Sequence, residues 1–134
     1  MVTNQKTIFQ KIIAGEIKSY KIYEDQKTIA ILDIKPINPG HALVISKKPV
    51  DKFNNLPDED YNALMQTVKK IADKIAAVYN PPRIGVIIEG FEIPHTHVHV
   101  FPAYLPTDFN KAPDDRASLS LDQMTNINQR LKIT

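Results

Sequence analysis

Three histidines at alternate positions, His95, His97 and His99, are the residues of this chain best suited to chemistry. A period of two on an extended strand directs all three rings to one face of a sheet, with neighbours about 7 Å apart. Imidazoles titrate near neutral pH, so such a row can attack an electrophile, move protons or bind a metal ion. Independent surface histidines are the weaker interpretation, because three rings on one face repel one another once protonated.

The strand that carries these histidines is predicted to lie between Pro94 and Pro102, because proline cannot donate a hydrogen bond to a central ladder. Thr96, Val98 and Val100 alternate with the histidines and therefore fall on the opposite face. Their β-branched side chains suit a packed surface. The histidine face is then free to line a site.

A metal centre is the main alternative for the histidine row. In that interpretation, two or three of His95, His97 and His99 would ligate zinc or another divalent ion. Asp33 or Glu92 would complete the ligand shell. Because His-x-His alone is a moderate metal signal, the sequence favours a site without metal and predicts no cofactor.

Length and composition exclude several classes of protein. A chain of 134 residues fits one domain, here 1–134, around a single core. The net charge of +2 is spread along the chain, so there is no basic stripe for a nucleic-acid partner. The absence of cysteine excludes disulfides and thiolate metal sites. No signal peptide or membrane span is recognisable, which predicts a cytoplasmic protein without a membrane partner.

The elements that must position the histidines form a mixed architecture. Thr7 and Gln10 have the spacing of a capping box, and Gly15 suits the left-handed residue that ends a short first helix. The pattern then predicts strands at 20–23, 28–32, 41–46, 83–88 and 96–101, a long helix at 57–79 and a weak helix at 120–131. The last two strands are apolar enough to be central. The sum is an α+β fold, about five antiparallel strands with one long and one or two short helices.

Two polar residues lie at strand ends in this prediction. Asp33 follows the second strand, and His41 begins the third. With no catalytic partner near it in the sequence, His41 is predicted to be a turn or packing residue. Beyond Pro102 the chain becomes polar and irregular, and no catalytic group is predicted there.

Residues 95–101 resemble the hallmark of the histidine triad (HIT) superfamily, His-x-His-x-His followed by two apolar residues. Three further segments resemble the family in the same order along the chain, at residues 7–17, 23–34 and 39–45. The resemblance is to the branch of histidine triad nucleotide-binding, purine nucleoside phosphoramidase-like proteins. It covers a core of about residues 7–102, and the alignment of 103–134 is uncertain.

This resemblance implies a hydrolase or transferase acting at the α-phosphate of purine nucleotide derivatives, such as phosphoramidates, AMP esters or small adenine nucleotides. His97 matches the nucleophile, which would form a nucleotidyl-histidine (a phosphohistidine intermediate) that water cleaves. His99 would bind the phosphate or protonate the leaving group, and His95 would orient and polarise its neighbours through hydrogen bonds, although these roles could be exchanged.

Asp33 would accept hydrogen bonds from the ribose hydroxyls. The apolar slot for the base would consist of Ile8, Phe9, Ile12, Ile17, Ile31 and Ile34. The family also implies a homodimer joined through the long helix and a strand.

The chain departs from the family pattern after the third strand, where Pro49 replaces a frequent histidine, and in two further places. Thr7 and Gln10 stand where many members have a Cys-x-x-Cys pair, so their structural zinc is not expected. Residues 90–94 replace the usual Gly-Gln-hydroxyl run before the triad, with Phe91 and Glu92 in place of phosphate-binding side chains. Glu92 would either point to solvent or lie near the triad. The change makes a nucleotide-binding protein with little turnover a further alternative.

Overall fold

The computed structural model describes residues 6–134 and contains one five-stranded antiparallel sheet. The strands are β1 (Lys21–Glu24), β2 (Thr28–Leu32), β3 (Ala42–Ser46), β4 (Arg83–Ile87) and β5 (His97–Ala103). The helices are α1 (Ile8–Ile13), α2 (Asp58–Tyr79) and α3 (Leu121–Leu131), and short 3-10 turns occur at Phe53–Asn55, Pro106–Asn110 and Pro113–Asp115. The α+β prediction, with one long and two shorter helices, is confirmed.

The order of strands across the sheet is β1-β2-β3-β5-β4. The histidine strand β5 is therefore central, with His97 opposite Ile45 and His99 opposite Leu43 on β3. The prediction that β4 is also central is wrong, because β4 pairs only with β5 and forms an edge of the sheet. Val86 on β4 is 43% exposed, as an edge position permits.

The two faces of the sheet carry different helices. One face packs against α2 and α3, where Val98 and Val100 of β5 are fully buried beside Leu64 and Ile71 of α2. Each such side chain contributes about 1.5–3 kcal/mol to stability through burial. The other face packs against α1 through Phe9. Since side chains alternate along a strand, the odd-numbered histidines of β5 lie on the α1 face.

Strand β5 does not end at the two prolines as predicted. It begins at His97, so Pro94 and His95 lie in the bend before it, and Pro102 lies inside it. Pairing of β5 with β3 extends only to Val100, whereas Pro102 pairs with Ile84 on β4. Pro102 is therefore tolerated because only one neighbouring strand remains at that position.

The helix ends follow the sequence signals. Thr7 and Gln10 form the predicted capping box of α1, with Gln10 N donating to Thr7 Oγ1 at 3.2 Å and Thr7 N donating to Gln10 Oε1 at 2.8 Å. Gly15 follows the helix with a φ of +80°, which favours glycine. Asn80 ends α2 in the left-handed region, at a φ of 47°. Within residues 6–134, no helix combines the length and apolar character that crossing a membrane requires.

Candidate functional site

A cleft of about 1070 Å³ opens on the α1 face of the sheet. His97 and His99 line it, together with Asp33 at the end of β2. The six apolar residues predicted for the base slot line the same cleft: Ile8, Phe9, Ile12, Ile17, Ile31 and Ile34. Apolar walls with a few polar groups are typical of small-molecule sites. The contacts that each residue makes to a ligand remain predictions.

A main-chain hydrogen bond holds the ring of His97 in one tautomer. Its Nδ1 lies 2.7 Å from the carbonyl oxygen of His95, and because a carbonyl only accepts, Nδ1 must donate. The opposite nitrogen, Nε2, keeps its lone pair and makes no hydrogen bond to residues 6–134. Phe9 packs edge-on against the ring, with centroids 4.8 Å apart. His97 therefore offers an oriented nitrogen lone pair in the cleft.

A chain of hydrogen bonds fixes the opposite proton arrangement on His99. The main-chain N–H of Ile37 donates to His41 Nδ1 at 2.9 Å, so the proton of neutral His41 is on Nε2. That Nε2 lies 2.9 Å from His99 Nδ1, which accepts the proton. The proton of neutral His99 is consequently on Nε2. The cleft therefore contains a lone pair on His97 and an N–H donor on His99, whose rings are 5.2 Å apart.

The two histidines joined by these hydrogen bonds, His41 and His99, are both neutral near pH 7. Burial, followed by the repulsion from His97 and Arg116, lowers the pKa of His99 to about 4. Burial also lowers the pKa of His41 well below its ordinary value, with smaller contributions from His99 and Arg116. A second proton on either ring would disrupt the donor-to-acceptor order of the hydrogen bonds from Ile37 to His41 and from His41 to His99. Electrostatics and hydrogen bonding thus favour the same protonation state.

His41 is the main site residue that sequence reasoning missed. The prediction of a turn or packing residue is incomplete: the ring is buried and accepts from the N–H of Ile37, but it also donates to His99 and packs 5.1 Å from that ring. His41 directly precedes β3, and β3 pairs with β5, so strand pairing brings the two histidines together. The available signal was its position at the start of a strand neighbouring the triad strand.

His95 has a different environment from the other two triad members. It is 1% exposed and is not one of the residues that line the cleft. It also lies before β5, so the prediction that all three rings form a row on one strand is wrong. Its Nε2 donates to the carbonyl of Ser46 at 2.5 Å. Burial lowers its pKa. His95 contacts His97 through its own main-chain carbonyl, which orients the His97 ring.

Asp33 is positioned by the turn that follows β2. Its Oδ1 accepts from the main-chain N–H of Lys35 at 2.8 Å, which fixes the carboxylate plane. Its Oδ2 lies 3.7 Å from His41 Nε2 and 3.9 Å from Arg116 Nη1. Burial raises the pKa of Asp33, while the Lys35 hydrogen bond and the charge of Arg116 oppose that rise.

The segment after β5 also contributes to the cleft. Residues 109–113 and Arg116 line it, although no functional group was predicted beyond Pro102. Arg116 donates from Nε and Nη2 to the carbonyl of Lys111 at 3.3 and 3.2 Å. Lys111 Nζ donates to the carbonyl of Ile37 at 3.2 Å, which ties the segment to the loop before β3. Irregular sequence gave no periodic signal for this placement.

The altered segment before the triad lies at the cleft. Phe91 and Glu92 both line it, and Glu92 is also exposed, so the side chain combines features of the two alternatives, solvent or the neighbourhood of the triad. Phe91 is 91% exposed. An aromatic ring so exposed has no packing role within residues 6–134 and is available to a ligand.

Among residues 6–134, the group that could meet one metal ion is Asp33, His41 and His99, rather than the three triad histidines. Their hydrogen bonds do not suit a metal, because His41 Nδ1 already accepts from Ile37 and His41 Nε2 therefore carries a proton. A metal at Nε2 would require that proton to move to Nδ1, against the N–H of Ile37. The donor set favours a hydrogen-bonded relay over metal ligation.

Comparison with known proteins identifies relatives of the chain. A family model described as "HIT domain" matches residues 14–105. An uncharacterized HIT-like protein of Methanocaldococcus jannaschii is 38% identical over 101 residues, covering 72% of this chain and 78% of that protein. An adenosine 5′-monophosphoramidase of Candida albicans is 33% identical over 114 residues, covering 76% of this chain and 73% of the relative.

A solved structure agrees with the fold. The crystal structure of a hypothetical histidine triad nucleotide-binding protein from Sulfolobus tokodaii superimposes with a TM-score of 0.79 at 28% identity. The match covers 92% of this chain and 87% of that protein. The overall fold of this chain is therefore shared with that protein.

Proposed function

This chain belongs to the HIT family, and from that membership and the geometry of its cleft we propose that it is a nucleotide hydrolase. It acts at the α-phosphate of purine nucleotide derivatives: AMP phosphoramidates, AMP esters or small adenine nucleotides. The similarity to an adenosine 5′-monophosphoramidase supports an AMP phosphoramidate as the first substrate to test.

One observation carries the proposal: the two histidines that line the cleft differ at Nε2, where one has a lone pair and the other a proton. His97 offers a lone pair at Nε2, and His99 offers an N–H at Nε2. In the proposed reaction, the lone pair of His97 attacks the α-phosphorus while the bond to the leaving amine or alcohol breaks. The leaving group takes up a proton from solvent as it departs, and the water that attacks in the second step returns one proton to solvent. A water molecule then cleaves the nucleotidyl-histidine, which releases AMP and restores the imidazole.

The remaining histidines support this displacement without contacting phosphorus. The N–H of His99 binds a nonbridging phosphoryl oxygen, and the phosphate charge raises the pKa of His99 when substrate is bound. His41 holds the proton of His99 on Nε2. His95 holds the proton of His97 on Nδ1 through its carbonyl. Such preorganised donors need no reorientation during reaction.

The nucleoside is bound along the remainder of the cleft. Asp33 accepts hydrogen bonds from the ribose hydroxyls, as its carboxylate lies among the cleft-lining residues. The base lies against the apolar residues of α1 and β2, where Phe9 and Ile31 are nearly fully buried and Ile8 is half exposed. Burial of an aromatic base against such a surface is favourable through apolar contact.

The proposal is tested by assaying release of AMP from adenosine 5′-phosphoramidate. We expect wild-type turnover, and a loss of about 10³-fold or more in kcat for His97→Ala, because removal of a nucleophile affects the chemical step. Circular dichroism of the variant checks that it folds. Treatment with EDTA is expected to leave the rate unchanged. Loss of activity with EDTA would favour the metal-dependent alternative, and full activity of His97→Ala would contradict the proposal.

A nucleotide-binding protein with little turnover is the second candidate. The presence of Phe91 and Glu92 at the cleft supports it, because neither side chain donates a hydrogen bond to phosphate as a cationic, amide or hydroxyl side chain would. Micromolar binding of AMP by calorimetry, combined with no measurable hydrolysis of phosphoramidates, esters or dinucleotides, would favour this candidate.

We further propose a homodimer, on the basis of the family resemblance. The resemblance assigns the long helix, here α2, and a strand to the interface, and we propose that this strand is β4 because it forms an edge of the sheet. Val86 on β4 and Tyr61 on α2 are exposed apolar residues, at 43% and 38%, which supports the proposal. The cytoplasmic location stays a prediction.

A further inference from the structure

A small network at one wall of the cleft links Asp33 to the segment after β5. Arg116 Nη1 lies 3.9 Å from Asp33 Oδ2, and the two side chains are only 16% and 15% exposed. Arg116 lies beyond residues 14–105, the part of the chain that the family model matches. The contact therefore adds to the site a cation from outside the family's matched region.

The guanidinium of Arg116 is held in a fixed plane. Its Nε and Nη2 both donate to the carbonyl of Lys111, which leaves Nη1 toward the carboxylate. Lys111 is itself anchored by its donation to the carbonyl of Ile37. The planar fork of arginine suits such a double donation, and a lysine could supply the charge but not the same fixed geometry.

The segment is anchored at a second point. Asn38 Nδ2 donates to Asp108 Oδ2 at 3.1 Å and to the carbonyl of Pro102 at 2.8 Å. Asp108 Oδ2 also accepts from the main-chain N–H of Tyr104 at 2.8 Å. The loop that carries Asp33 and His41 is consequently fastened to the segment that carries Arg116, and the distance from Arg116 to Asp33 is set by packing.

The distances at Asp33 leave its lone pairs available to a ligand. Oδ1 accepts one hydrogen bond from Lys35, whereas Oδ2 has Arg116 and His41 at 3.9 and 3.7 Å, beyond hydrogen-bond length. A carboxylate has about four acceptor sites, so room remains for two donors. A cation at this distance favours the charged form without using those sites.

We propose that Arg116 is a positioning residue for Asp33, which holds this carboxylate in place for the ribose hydroxyls that the proposed function assigns to it. This inference rests on the proposed function, because it requires Asp33 to meet the ribose. Hydrogen bonds from a diol to an ionised carboxylate are stronger than those to a neutral acid. Arg116 itself lines the cleft, and a direct contact with the ligand would weaken the binding of all three nucleotides in the test below equally.

The groups that face Asp33 make its ionisation sensitive to Arg116. They are the cation of Arg116, the carboxylate of Glu92, the imidazoles of His41 and His97, and the main-chain N–H of Lys35. Burial raises the pKa of Asp33, and Arg116 opposes this. Removing Arg116 therefore raises the pKa of Asp33 further. As the pH falls, the preference for the ribose diol is then lost at a higher pH than in the wild type.

The test is calorimetric titration with AMP, 2′-deoxy-AMP and 3′-deoxy-AMP. We expect the wild type to prefer AMP by about tenfold or more, as one lost hydrogen bond to a charged group predicts. Asp33→Asn is expected to lose this preference. Arg116→Met is expected to reduce the preference at least about threefold, mainly through weaker AMP binding. Arg116→Lys should restore part of it.

Arg83→Met is the matched control, since Arg83 also donates to a carbonyl, that of Pro82, but does not line the cleft. It should keep the wild-type ratio. Equal weakening of all three ligands in Arg116→Met, or an unchanged ratio and pH profile, would overturn the role of Arg116 while leaving nucleotide binding intact. If the wild type binds none of the nucleotides, the proposed function fails and this inference with it.

Discussion

Hydrogen bonds to the main chain decide where the protons of the site lie. The carbonyl of His95 forces a proton onto Nδ1 of His97, and the N–H of Ile37 forces the proton of His41 onto Nε2. Each ring is thus given its role by a group that cannot titrate. Side-chain identity alone, which is the same for all four histidines, does not distinguish a lone-pair donor from a proton donor.

The buried histidines are expected to make stability depend on pH. The pKa of His99 is about 4 in the folded chain and about 6.5 when unfolded, so the unfolded state binds more protons between these values. Stability contributed by neutral His99 is present above pH 6.5 and falls as the pH drops toward 4. The loss from pH 7 to pH 5 is of order 2 kcal/mol.

Urea unfolding at pH 7 and pH 5 measures this effect. His99→Gln lacks the titrating group, so its free energy of unfolding should fall less than that of the wild type over the same range. The comparison cancels groups that do not contact His99, including Asp33, whose raised pKa acts in the opposite direction. An identical decrease in both proteins would show that His99 is not the source.

The residues of the site differ in how readily they can be predicted from the sequence. The triad has a short-range pattern, and Asp33 lies at a recognisable strand end. His41 and His99 are 58 positions apart, and only the pairing of β3 with β5 brings them together. Arg116 lies in an irregular segment where no periodicity predicts a neighbour. Long-range partners of this kind follow from topology rather than from local spacing.

Strands β4 and β5 support the relay through one close approach. Gly85 of β4 faces the fully buried ring of Phe101, and a Cβ at Gly85 would overlap that ring. Phe101 in turn packs against His41, with ring centroids 5.5 Å apart, and against Phe109 at 5.2 Å. The glycine therefore allows an aromatic ring to occupy the position that supports His41.

Gly85→Ala is expected to displace Phe101 and, through it, His41. Overpacking of this kind costs about 1–3 kcal/mol of stability. We also expect kcat to fall several-fold with little change in KM, because the relay rather than the nucleoside surface is disturbed. Thermal unfolding and steady-state assays measure both effects. Arg83→Ala on the same strand is the control, and normal kcat in Gly85→Ala would contradict the coupling.

Sequence patterns predicted the strands and helices better than the order of the strands in the sheet. Five strands and three helices follow from periodicity, capping boxes and Gly15. The edge position of β4 was missed because its apolar residues resemble those of a central strand, yet Val86 is exposed. Residues that serve an interface between chains and residues that serve a core have the same apolar character. Composition of a single strand therefore does not reveal its place in the sheet.

Within residues 6–134, β4 pairs on one side only, and its other edge bears on the state of the whole molecule. The outer edge of β4 (Arg83–Ile87) presents main-chain donors and acceptors that a second chain can pair with. Because the resemblance implies a homodimer, a twofold pairing of this edge is the arrangement we expect. Such an interface would also bury the exposed side chain of Val86.

Light scattering coupled to size-exclusion chromatography tests the homodimer. We expect a dimer for the wild type and a shift toward monomer for Val86→Lys, because a charged side chain opposes edge pairing. Leu121→Lys, at a position on α3 that is 72% exposed, is the matched control and should remain dimeric. A wild-type monomer at micromolar concentration would refute the homodimer proposal.

The central claim is that His97 attacks phosphorus through its free Nε2, and rapid quenching with adenosine 5′-phosphoramidate followed by mass spectrometry tests it most directly. We expect a transient adenylyl group on His97 in the wild type and none in His97→Ala. The peptide carrying the group identifies the residue. Turnover of substrate with no adduct at any time, or an adduct on a residue other than His97, would contradict the account.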